Sequence, residues 1–364
     1  MKKLDHLEVY DLTLEVKSPL FIGSGADIQK FEYILSGNTV SFIDNDKLFA
    51  LLIKTGKIDA YEKFILSSSS NYNMYAFLKN SCGYTEAQID SVCRYRVSAG
   101  DAMDRDHSLK EIKGFMRNNA GKAYVPGSSI KGAIRTCMLA DMILKSGRKG
   151  SKEELADRRA VIPEGRYLNT LSNKVDKATG IRKDDPVNSI MRGISVSDSE
   201  IIPDSDMILI QKIDVNVEGD GKPLNLVREA VKPGAKIRFR LTLDTSILKG
   251  KISAGSILKN IDDFDEFYYN NFIMKFDEVP GEVHVPLKNS LILGGGSGFF
   301  SKTLDYEYLS FDDALELVTD IMKSGFRNHK HENDIRKGIS PHTLKYTKYK
   351  GGLYQMGICE VSIS

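Results

Sequence analysis

The stretch "AYVPGSSIKGAIRTCML", residues 123–139, joins a proline-glycine turn to two serines, two cations and an apolar run. Apolar residues recur at helical spacing from residue 129 to residue 146, and this spacing predicts the clearest helix in the chain. Ser128 or Ser129 is the expected N-cap, and Gly147 stands where the helix should end.

The start of this helix has the features of an anion site. The first backbone N–H groups of a helix lack partners within it and carry partial positive charge, which suits phosphate. The hydroxyls of Ser128 and Ser129 add donors, while Lys131 and Arg135 share one face because they are four residues apart. Gly127 completes the turn, where a positive φ would require glycine. The alternative is an ordinary capped helix with two surface cations.

The stretch "GGGSGFFSK", residues 294–302, is a second candidate anion site. Successive N–H groups of such a loop can form a nest for an anion, and Lys302 adds a positive charge. Phe299 and Phe300 would either stack on an unpaired base or return to the core. Neither loop has a P-loop or dinucleotide fingerprint. The candidate ligands of this loop are Gly294, Gly295, Gly296, Ser297, Gly298 and Lys302.

A third candidate, "GSGAD" (23–27), follows the first predicted strand within a loop expected over residues 18–28. Gly23, Ser24 and Gly25 would permit close approach of a ligand. Asp27 could hold a metal or assist proton transfer, but a single carboxylate in a loop is more often a turn former.

The histidines give weak evidence for metal binding. His329 and His331 form a His-x-His pair with no cysteine and no suitable carboxylate set, so the sequence predicts no metal site and no cofactor. Residues 321–350 hold eight Lys or Arg against two acidic residues, with Tyr346 and Tyr349 interleaved. This pattern is compatible with an RNA backbone groove and equally with a solvated loop.

Composition limits the possible functions. The 364 residues include 51 basic and 49 acidic ones, a net charge of +2, so any anion site must be a local concentration of charge. No apolar run is long enough to span a membrane, and we expect no membrane partner. The four cysteines are scattered, which argues against a disulfide framework and fits a reducing cytoplasm.

The order of patterns predicts an α+β fold, in which two βαββαβ units are a plausible arrangement. Residues 45–115 are mostly helical in pattern, and residues 145–188 form a polar, basic insertion. A short hairpin is expected over 32–35 and 39–43. Further strands are expected at 7–17, 193–198, 207–217, 236–244 and 353–363, and further helices at 254–275 and 312–324.

The stretch "YVPGSSIKGAIRT", preceded by "PLFIGSG" and followed by the glycine-rich loop, resembles the RAMP superfamily of CRISPR-associated RNA-binding proteins. More narrowly, the chain is similar to the subunit family that caps type III-A (Csm) interference complexes near the 3′ end of the CRISPR RNA. Further stretches follow in the order that family shows: "ISVSDSE" (194–200), "PLNLVREAVKPGAKIRFRLTLD" (223–244) and "MGICEV" (356–361).

The resemblance implies two ferredoxin-like folds of the RNA-recognition-motif type. The first would cover residues 1–235, with the helical insertion (45–115) and a thumb-like insertion (145–188) that intrudes on the guide–target duplex. The second would cover residues 236–364 and hold the glycine-rich loop. The residues along the guide RNA would be Gly127, Ser128, Ser129, Lys131 and Arg135.

The resemblance also implies partners. These are the repeating backbone subunit and the small helical subunit of the same complex, together with nucleases that trim the RNA. The family is regarded as a binder without its own nuclease activity.

Other functions stay open at this point. The repeating backbone subunit carries an Asp in the loop after its first strand and cuts target RNA there, so a metal-dependent endoribonuclease using Asp27 is the main alternative. The context "GSGADIQKF" departs from that subunit's pattern. A histidine-based repeat-processing nuclease lacks a histidine in that loop, and a phosphotransferase lacks every companion motif.

Overall fold

Two β-sheets and the helices packed on them form the body of the protein in the computed structural model. The structure describes residues 5–67, 73–103, 111–156, 161–171, 180, 182, 185–276, 288–326 and 330–364. The strands within these residues are β1 (Leu7–Val16), β2 (Gly23–Ile28), β3 (Tyr33–Ser36), β4 (Thr39–Ile43), β5 (Cys93–Ser98), β6 (Ile112–Phe115), β7 (Ile194–Val196), β8 (Met207–Asn216), β9 (Gly221–Val231), β10 (Lys236–Asp244), β11 (Ser290–Ile292), β12 (Thr343–Tyr349), β13 (Gly352–Gln355) and β14 (Ile358–Ile363).

The α-helices differ widely in length, and α5 and α9 are the two longest of those described. The full set is α1 (Asn45–Lys54), α2 (Ile58–Leu66), α3 (Met74–Ala76), α4 (Glu86–Ser91), α5 (Gly127–Ser146), α6 (Lys152–Ala156), α7 (Val161–Tyr167), α8 (Thr245–Leu248), α9 (Ala254–Asn271), α10 (Asp305–Tyr308), α11 (Phe311–Gly325) and α12 (Asp334–Lys337). No described helix is both long enough and apolar enough to cross a bilayer.

The smaller sheet has the order β11-β14-β1-β10-β7, and every pair in it is antiparallel. Alternation along β1 buries Leu12, Leu14 and Val16, while the residues between them are less buried. Helices α5 and α9 pack on each other; α5 also contacts β7, and α9 contacts β11 and β14. This layer of two helices on a sheet positions the start of α5 beside the end of β7.

The larger sheet has the order β2-β6-β9-β8-β5-β4-β3, with β12 also pairing with β8 and β13 with β12. A buried ion pair fixes its centre. The Glu229 carboxylate, fully buried, accepts from Arg117 Nη2 at 3.0 Å and from the Phe115 amide at 2.9 Å. The Arg117 guanidinium also lies 3.5 Å from the centre of the Tyr95 ring. Buried charges of this kind need such partners, because an unpaired one would be strongly destabilising.

The α+β class predicted from the sequence is confirmed. The hairpin of β3 and β4 and the strands β8 and β10 lie close to their predicted positions. The helices α9 and α11 also match, since they begin within a residue of prediction.

Several sequence predictions are wrong. Residues 23–28 form strand β2 rather than part of a loop. The described part of residues 45–115 is mostly helical as predicted, but it also holds strands β5 and β6. The predicted final strand is two strands, because a turn at Met356 and Gly357 divides it. Strands β9 and β12 were not predicted.

The predicted boundary between residues 235 and 236 stays a prediction. Strands from both sides of it share each sheet: β1 lies between β10 and β14, and β12 pairs with β8. A separate small core does occur in the helical insertion, where α1 and α4 pack on β3 and β4 through Ile34, Ile43, Leu48, Leu52 and Ile89.

The described part of the 145–188 insertion is anchored on α10; residues 157–160, 172–179, 181 and 183–184 lie outside the description. The Tyr308 hydroxyl donates to Glu154 Oε2 at 2.8 Å and accepts from Arg166 Nη1 at 2.6 Å. Arg166 also pairs with Glu154 at 2.8 Å. These contacts, the Tyr308 hydrogen bond foremost, lower the pKa of Glu154 to about 2 from its ordinary 4.5.

Glu154→Gln should destabilise the protein by about 1 kcal/mol at pH 7, because the amide cannot replace the charged acceptor. The folded-state pKa is depressed, so this contribution is present above pH 4.5 and is lost as the pH falls from 4.5 towards 2. Urea unfolding at pH 7 and at about pH 3.5 measures it. The difference in the free energy of unfolding between wild type and Glu154→Gln should narrow at the lower pH, whereas exposed Glu62→Gln should match the wild type at both pH values. A difference for Glu154→Gln that is independent of pH would contradict this account.

Candidate nucleic-acid interface

Helix α5 begins at Gly127, two residues earlier than predicted. Its N-cap residue is Pro126, which has extended backbone angles, so neither Ser128 nor Ser129 is the cap. The cap interaction comes from elsewhere in the chain: the Gly127 amide donates to Asp198 Oδ1 at 2.9 Å. Because the carboxylate takes the first amide, the serine hydroxyls are left for other contacts, with Ser128 exposed and Ser129 half-buried.

Glycine is required at position 127 by a close approach and not by a positive φ. Its backbone is that of the first residue of α5, and the expectation of a left-handed turn there is wrong. A Cβ on Gly127 would lie 2.2 Å from the Val196 carbonyl oxygen and 2.4 Å from that of Ser197. The helix therefore packs directly on the backbone at the end of β7.

Lys131 and Arg135 line one cleft of about 570 Å³, as the helical spacing predicted. Arg135 Nη1 lies 3.2 Å from Glu164 Oε1 on α7. Lys131 is half-buried, its pKa is lowered by that burial, and within the described residues it makes no ion pair. A partly desolvated ammonium without a carboxylate favours an anionic ligand. Ser128 and Arg192 line the same cleft, and Arg192 was not identified from the sequence.

The glycine-rich loop and the segment after β1, two separate candidates in the sequence, meet in the structure. The Gly295 amide donates to the Phe21 carbonyl at 2.8 Å. Gly294 has a φ of 82°, and a Cβ there would lie 2.2 Å from the same carbonyl oxygen. Glycine is needed at position 294 both for its positive φ and for the lack of space for a Cβ. The two candidates therefore form one surface.

Two cations lie against this loop. Lys302 Nζ donates to the Gly294 carbonyl at 2.6 Å, and Arg228 Nη1 to the Gly295 carbonyl at 3.4 Å. Burial lowers the pKa of both, and the Arg228 charge further lowers that of Lys302. Arg228 belongs to β9 and also lies over the Phe21 ring at 5.0 Å. No sequence pattern identifies Arg228, because only the fold brings it within reach of residues 294–296.

The remaining residues of the loop have structural contacts. Ser297 is buried and donates to the Gly294 carbonyl at 2.9 Å. Gly296, with a φ of 97°, has no room for a Cβ beside the Arg228 guanidinium. Gly298 has a φ of 92°, and a Cβ there would lie 3.6 Å from the Lys345 side chain.

The two phenylalanines are turned towards the interior. Phe300 is 2% exposed and stacks on Phe272 with ring centres 4.2 Å apart. Phe299 is half-buried and packs against the main core. Of the two alternatives left by the sequence, packing in the core holds for Phe300.

Strand β2 holds the third group of candidates. The Ser24 hydroxyl donates to the Gly114 carbonyl at 3.1 Å, and Gly25 has a φ of 83° with open space around it. A Cβ on Gly23 would press on the Phe21 ring at 2.9 Å. These residues lie in a strand that pairs with β6 rather than in a free loop.

Asp27 is engaged by a lysine. Its carboxylate lies 2.6 Å from Lys113 Nζ, which also pairs with Glu111 at 2.8 Å. Among the described residues, Asp27 belongs to no group of three potential metal ligands. The surroundings of Asp27 therefore favour a charge-paired surface residue over a metal-bound catalytic carboxylate.

Short backbone contacts connect the two surfaces. The Met116 amide donates to the Ile22 carbonyl at 2.8 Å, and the Tyr124 amide donates to the Met116 carbonyl at 3.2 Å. Val125 then donates to Ser199 Oγ at 2.9 Å, next to the residue that caps α5. The position of the glycine-rich loop is thus tied to that of the α5 cleft through the main chain.

The basic stretch 321–350 is only partly a surface; residues 327–329, with His329, lie outside the description. Tyr346 is fully buried and Tyr349 half-buried. Lys345 is held 2.9 Å from Asp214, and burial followed by the nearby Lys212 charge lowers its pKa. Its side chain also lies beside Gly298, so Lys345 is a third cation next to the glycine-rich loop.

Gly127→Ala should destabilise the protein by about 1–3 kcal/mol, because the new methyl group forces α5 away from the two carbonyl oxygens. Gly132→Ala on the same helix is the matched control, since a Cβ there meets nothing within 4 Å. That control should stabilise the helix by about 0.5–1 kcal/mol. Urea denaturation of both variants measures the difference, and equal stability of the two would contradict the packing described here.

Comparison with known proteins places these features in context. The family model described as "RAMP superfamily" matches residues 13–362. A Mycobacterium tuberculosis (strain CDC 1551 / Oshkosh) protein named "CRISPR system Cms protein Csm5" is 28% identical over 380 residues, covering 98% of each chain. A protein of the same name from Streptococcus thermophilus is 27% identical over 350 residues, covering 93% of this chain and 88% of that one.

Two solved structures share the fold. One is a chain in "Cryo-EM structure of Csm-crRNA-target RNA ternary complex in type III-A CRISPR-Cas system", with a TM-score of 0.67 and 20% identity over 97% of this chain and 100% of that one. The other is "Crystal structure of T.onnurineus Csm5", with a TM-score of 0.62 and 19% identity over 96% and 99% of the two chains. At these identities the likeness establishes the architecture.

Proposed function

Because the chain belongs to the RAMP superfamily, we propose that it is an RNA-binding subunit of a type III-A CRISPR (Csm) effector complex. It binds the CRISPR RNA backbone near its 3′ end, caps the filament there and supports maturation of the RNA and antiviral defence. Its partners are the guide RNA, the guide–target duplex, the repeating backbone subunit, the small helical subunit and trimming nucleases. It works in the cytoplasm and is not itself an enzyme.

The cleft beside the first two turns of α5 supports this proposal most directly. It presents the Ser128 hydroxyl, the half-buried Lys131 ammonium and the Arg135 guanidinium on one side. Hydroxyls and cations contact phosphate oxygens without reading base identity, which suits a subunit that must accept any guide sequence. The Asp198 carboxylate occupies the first amide, so phosphate binding falls to these side chains.

The glycine-rich surface is the second contact region. Arg228, Lys302 and Lys345 form a group of partly desolvated cations around Gly294–Gly298. The Gly294 and Gly295 carbonyls hold Lys302 and Arg228 against the loop, while the Asp214 carboxylate holds Lys345. Strand β2, which begins two residues after Phe21, holds Gly23, Ser24 and Gly25. The backbone hydrogen bonds of Met116 to Ile22 and Tyr124 hold the glycine-rich surface and the α5 cleft in fixed positions, so one RNA strand can contact both.

The division into two ferredoxin-like units, residues 1–235 and 236–364, also belongs to this proposal. The thumb at residues 145–188 is also part of this proposal. Its described base is held by the Tyr308 hydrogen bond to Glu154 and by the Arg135–Glu164 ion pair. A base held in this way would allow the remainder to reach the guide–target duplex.

The double variant Lys131→Ala/Arg135→Ala should weaken binding of the full complex to CRISPR RNA while leaving the fold intact. Because each single-strand phosphate contact contributes about 0.7 to the slope of log K against log salt, the slope should fall by about 1.4. Filter binding at several salt concentrations measures it. Lys47→Ala/Lys54→Ala on α1 removes the same charge from an exposed site and should leave the slope unchanged. An unchanged slope in the first variant, or an unfolded protein, would count against the proposal.

Asp27→Ala separates the binder from the endoribonuclease alternative. The variant complex should retain its RNA and any Mg²⁺-dependent cleavage of target RNA at the wild-type rate, since Asp27 is paired with Lys113 and stands outside any described metal-ligand group. Gel analysis of labelled target RNA measures this. Loss of a cleavage product with binding preserved would instead assign catalysis to Asp27.

A further inference from the structure

Two histidines and an aspartate converge between α11 and β12, and none of them is among the residues of the RNA surfaces proposed above. His331 Nδ1 lies 2.8 Å from Asp334 Oδ2, and His342 Nδ1 lies 2.6 Å from Asp334 Oδ1. The two imidazole rings have their centres 5.0 Å apart. In the sequence His331 pairs only with His329, whereas the fold brings it beside His342, eleven positions later.

The three side chains of the cluster are buried to different extents. The Asp334 side chain is 0% exposed, that of His331 5% and that of His342 14%. A carboxylate buried to this extent is costly unless it is paired with cations or hydrogen-bond donors. The Ser340 hydroxyl also donates to Asp334 Oδ2, at 2.7 Å, and so fixes the orientation of the carboxylate.

We propose that His331, Asp334 and His342 bind a divalent transition metal, with Zn²⁺ as the expected ion. One donor atom from each lies within 4.8 Å of the others. Two imidazole nitrogens with one carboxylate suit Zn²⁺, whereas Mg²⁺ and Ca²⁺ prefer all-oxygen sites. The partly exposed edge at His342 leaves room for a water as the fourth ligand and gives the ion a path of entry.

The change needed to admit the ion is small. Zinc–nitrogen and zinc–oxygen bonds of about 2.0–2.1 Å at tetrahedral angles place neighbouring donor atoms about 3.3 Å apart. The present contacts of 2.6 and 2.8 Å must therefore open by about 0.5–0.7 Å, while the two histidine donor atoms, which lie within 4.8 Å of each other, must come to about 3.3 Å. Ser340 would then act as the outer hydrogen-bond partner that orients the ligating carboxylate.

The bound ion would fix the connection between α11 and β12. The Ser340 carbonyl accepts from the Tyr306 hydroxyl at 2.8 Å, which joins the cluster to α10. Strand β12 begins at Thr343, directly after His342, and pairs with β8. The site is structural in this account, and it stands or falls independently of the RNA-binding proposal.

Calorimetric titration of Zn²⁺ into the chelator-treated full chain tests the site. We expect one Zn²⁺ per chain, a rise in Tm on binding, and an intense visible absorption of tetrahedral type when Co²⁺ replaces Zn²⁺. His342→Ala should weaken binding at least about 100-fold, more than is usual for loss of an outer-shell partner.

His6→Ala is the matched control, because His6 is exposed and lies outside the cluster. It should leave the affinity for Zn²⁺ unchanged. If the wild type fails to bind Zn²⁺, or if His342→Ala binds it as tightly as the wild type, the site is a hydrogen-bonded network only and the proposal is overturned. If His342→Ala does not fold, the wild-type Co²⁺ spectrum decides, since a weak octahedral spectrum also overturns it.

Discussion

The close packing of α5 on the backbone at the end of β7 is the constraint on which the rest of the structure depends. With no Cβ at Gly127, the helix approaches the Val196 and Ser197 carbonyls directly, and the Asp198 carboxylate accepts the first amide. The same helix packs on α9 along the layer that covers the smaller sheet. The side of the helix that remains open bears Lys131 and Arg135.

A second set of close backbone contacts assembles the glycine-rich surface. Gly294 and Gly295 approach the Phe21 carbonyl, so a loop late in the chain is held on the segment that follows the first strand. Three cations, Arg228, Lys302 and Lys345, lie around this loop, although the formal net charge of the whole chain is only +2. The proposed anion binding thus depends on the local placement of charge, as the composition predicted.

The sequence predicted what local periodicity and special residues determine. The amphipathic pattern of residues 129–146 predicted α5, and the clean alternation in 236–244 predicted β10. Sequence reasoning failed where tertiary contacts decide: Asp198, 71 residues away, caps the helix in place of a serine. Strand β2 forms in a glycine-rich segment because β6 offers it a partner, which no propensity reports. Arg228 was missed for the same reason, since Gly295 lies 67 positions away. His342 was missed because it lies eleven positions from His331, outside the His-x-His pair that the sequence shows.

Isolation of the tagged chain from its native host, with extraction and sizing of the nucleic acid that remains bound, tests the central claim most directly. An RNA-binding subunit of an RNA-guided assembly should bring down several other proteins and RNA of a few discrete lengths. Recovery of the protein alone, free of RNA, would contradict the account and would mean that the α5 cleft and the glycine-rich surface bind a smaller anion.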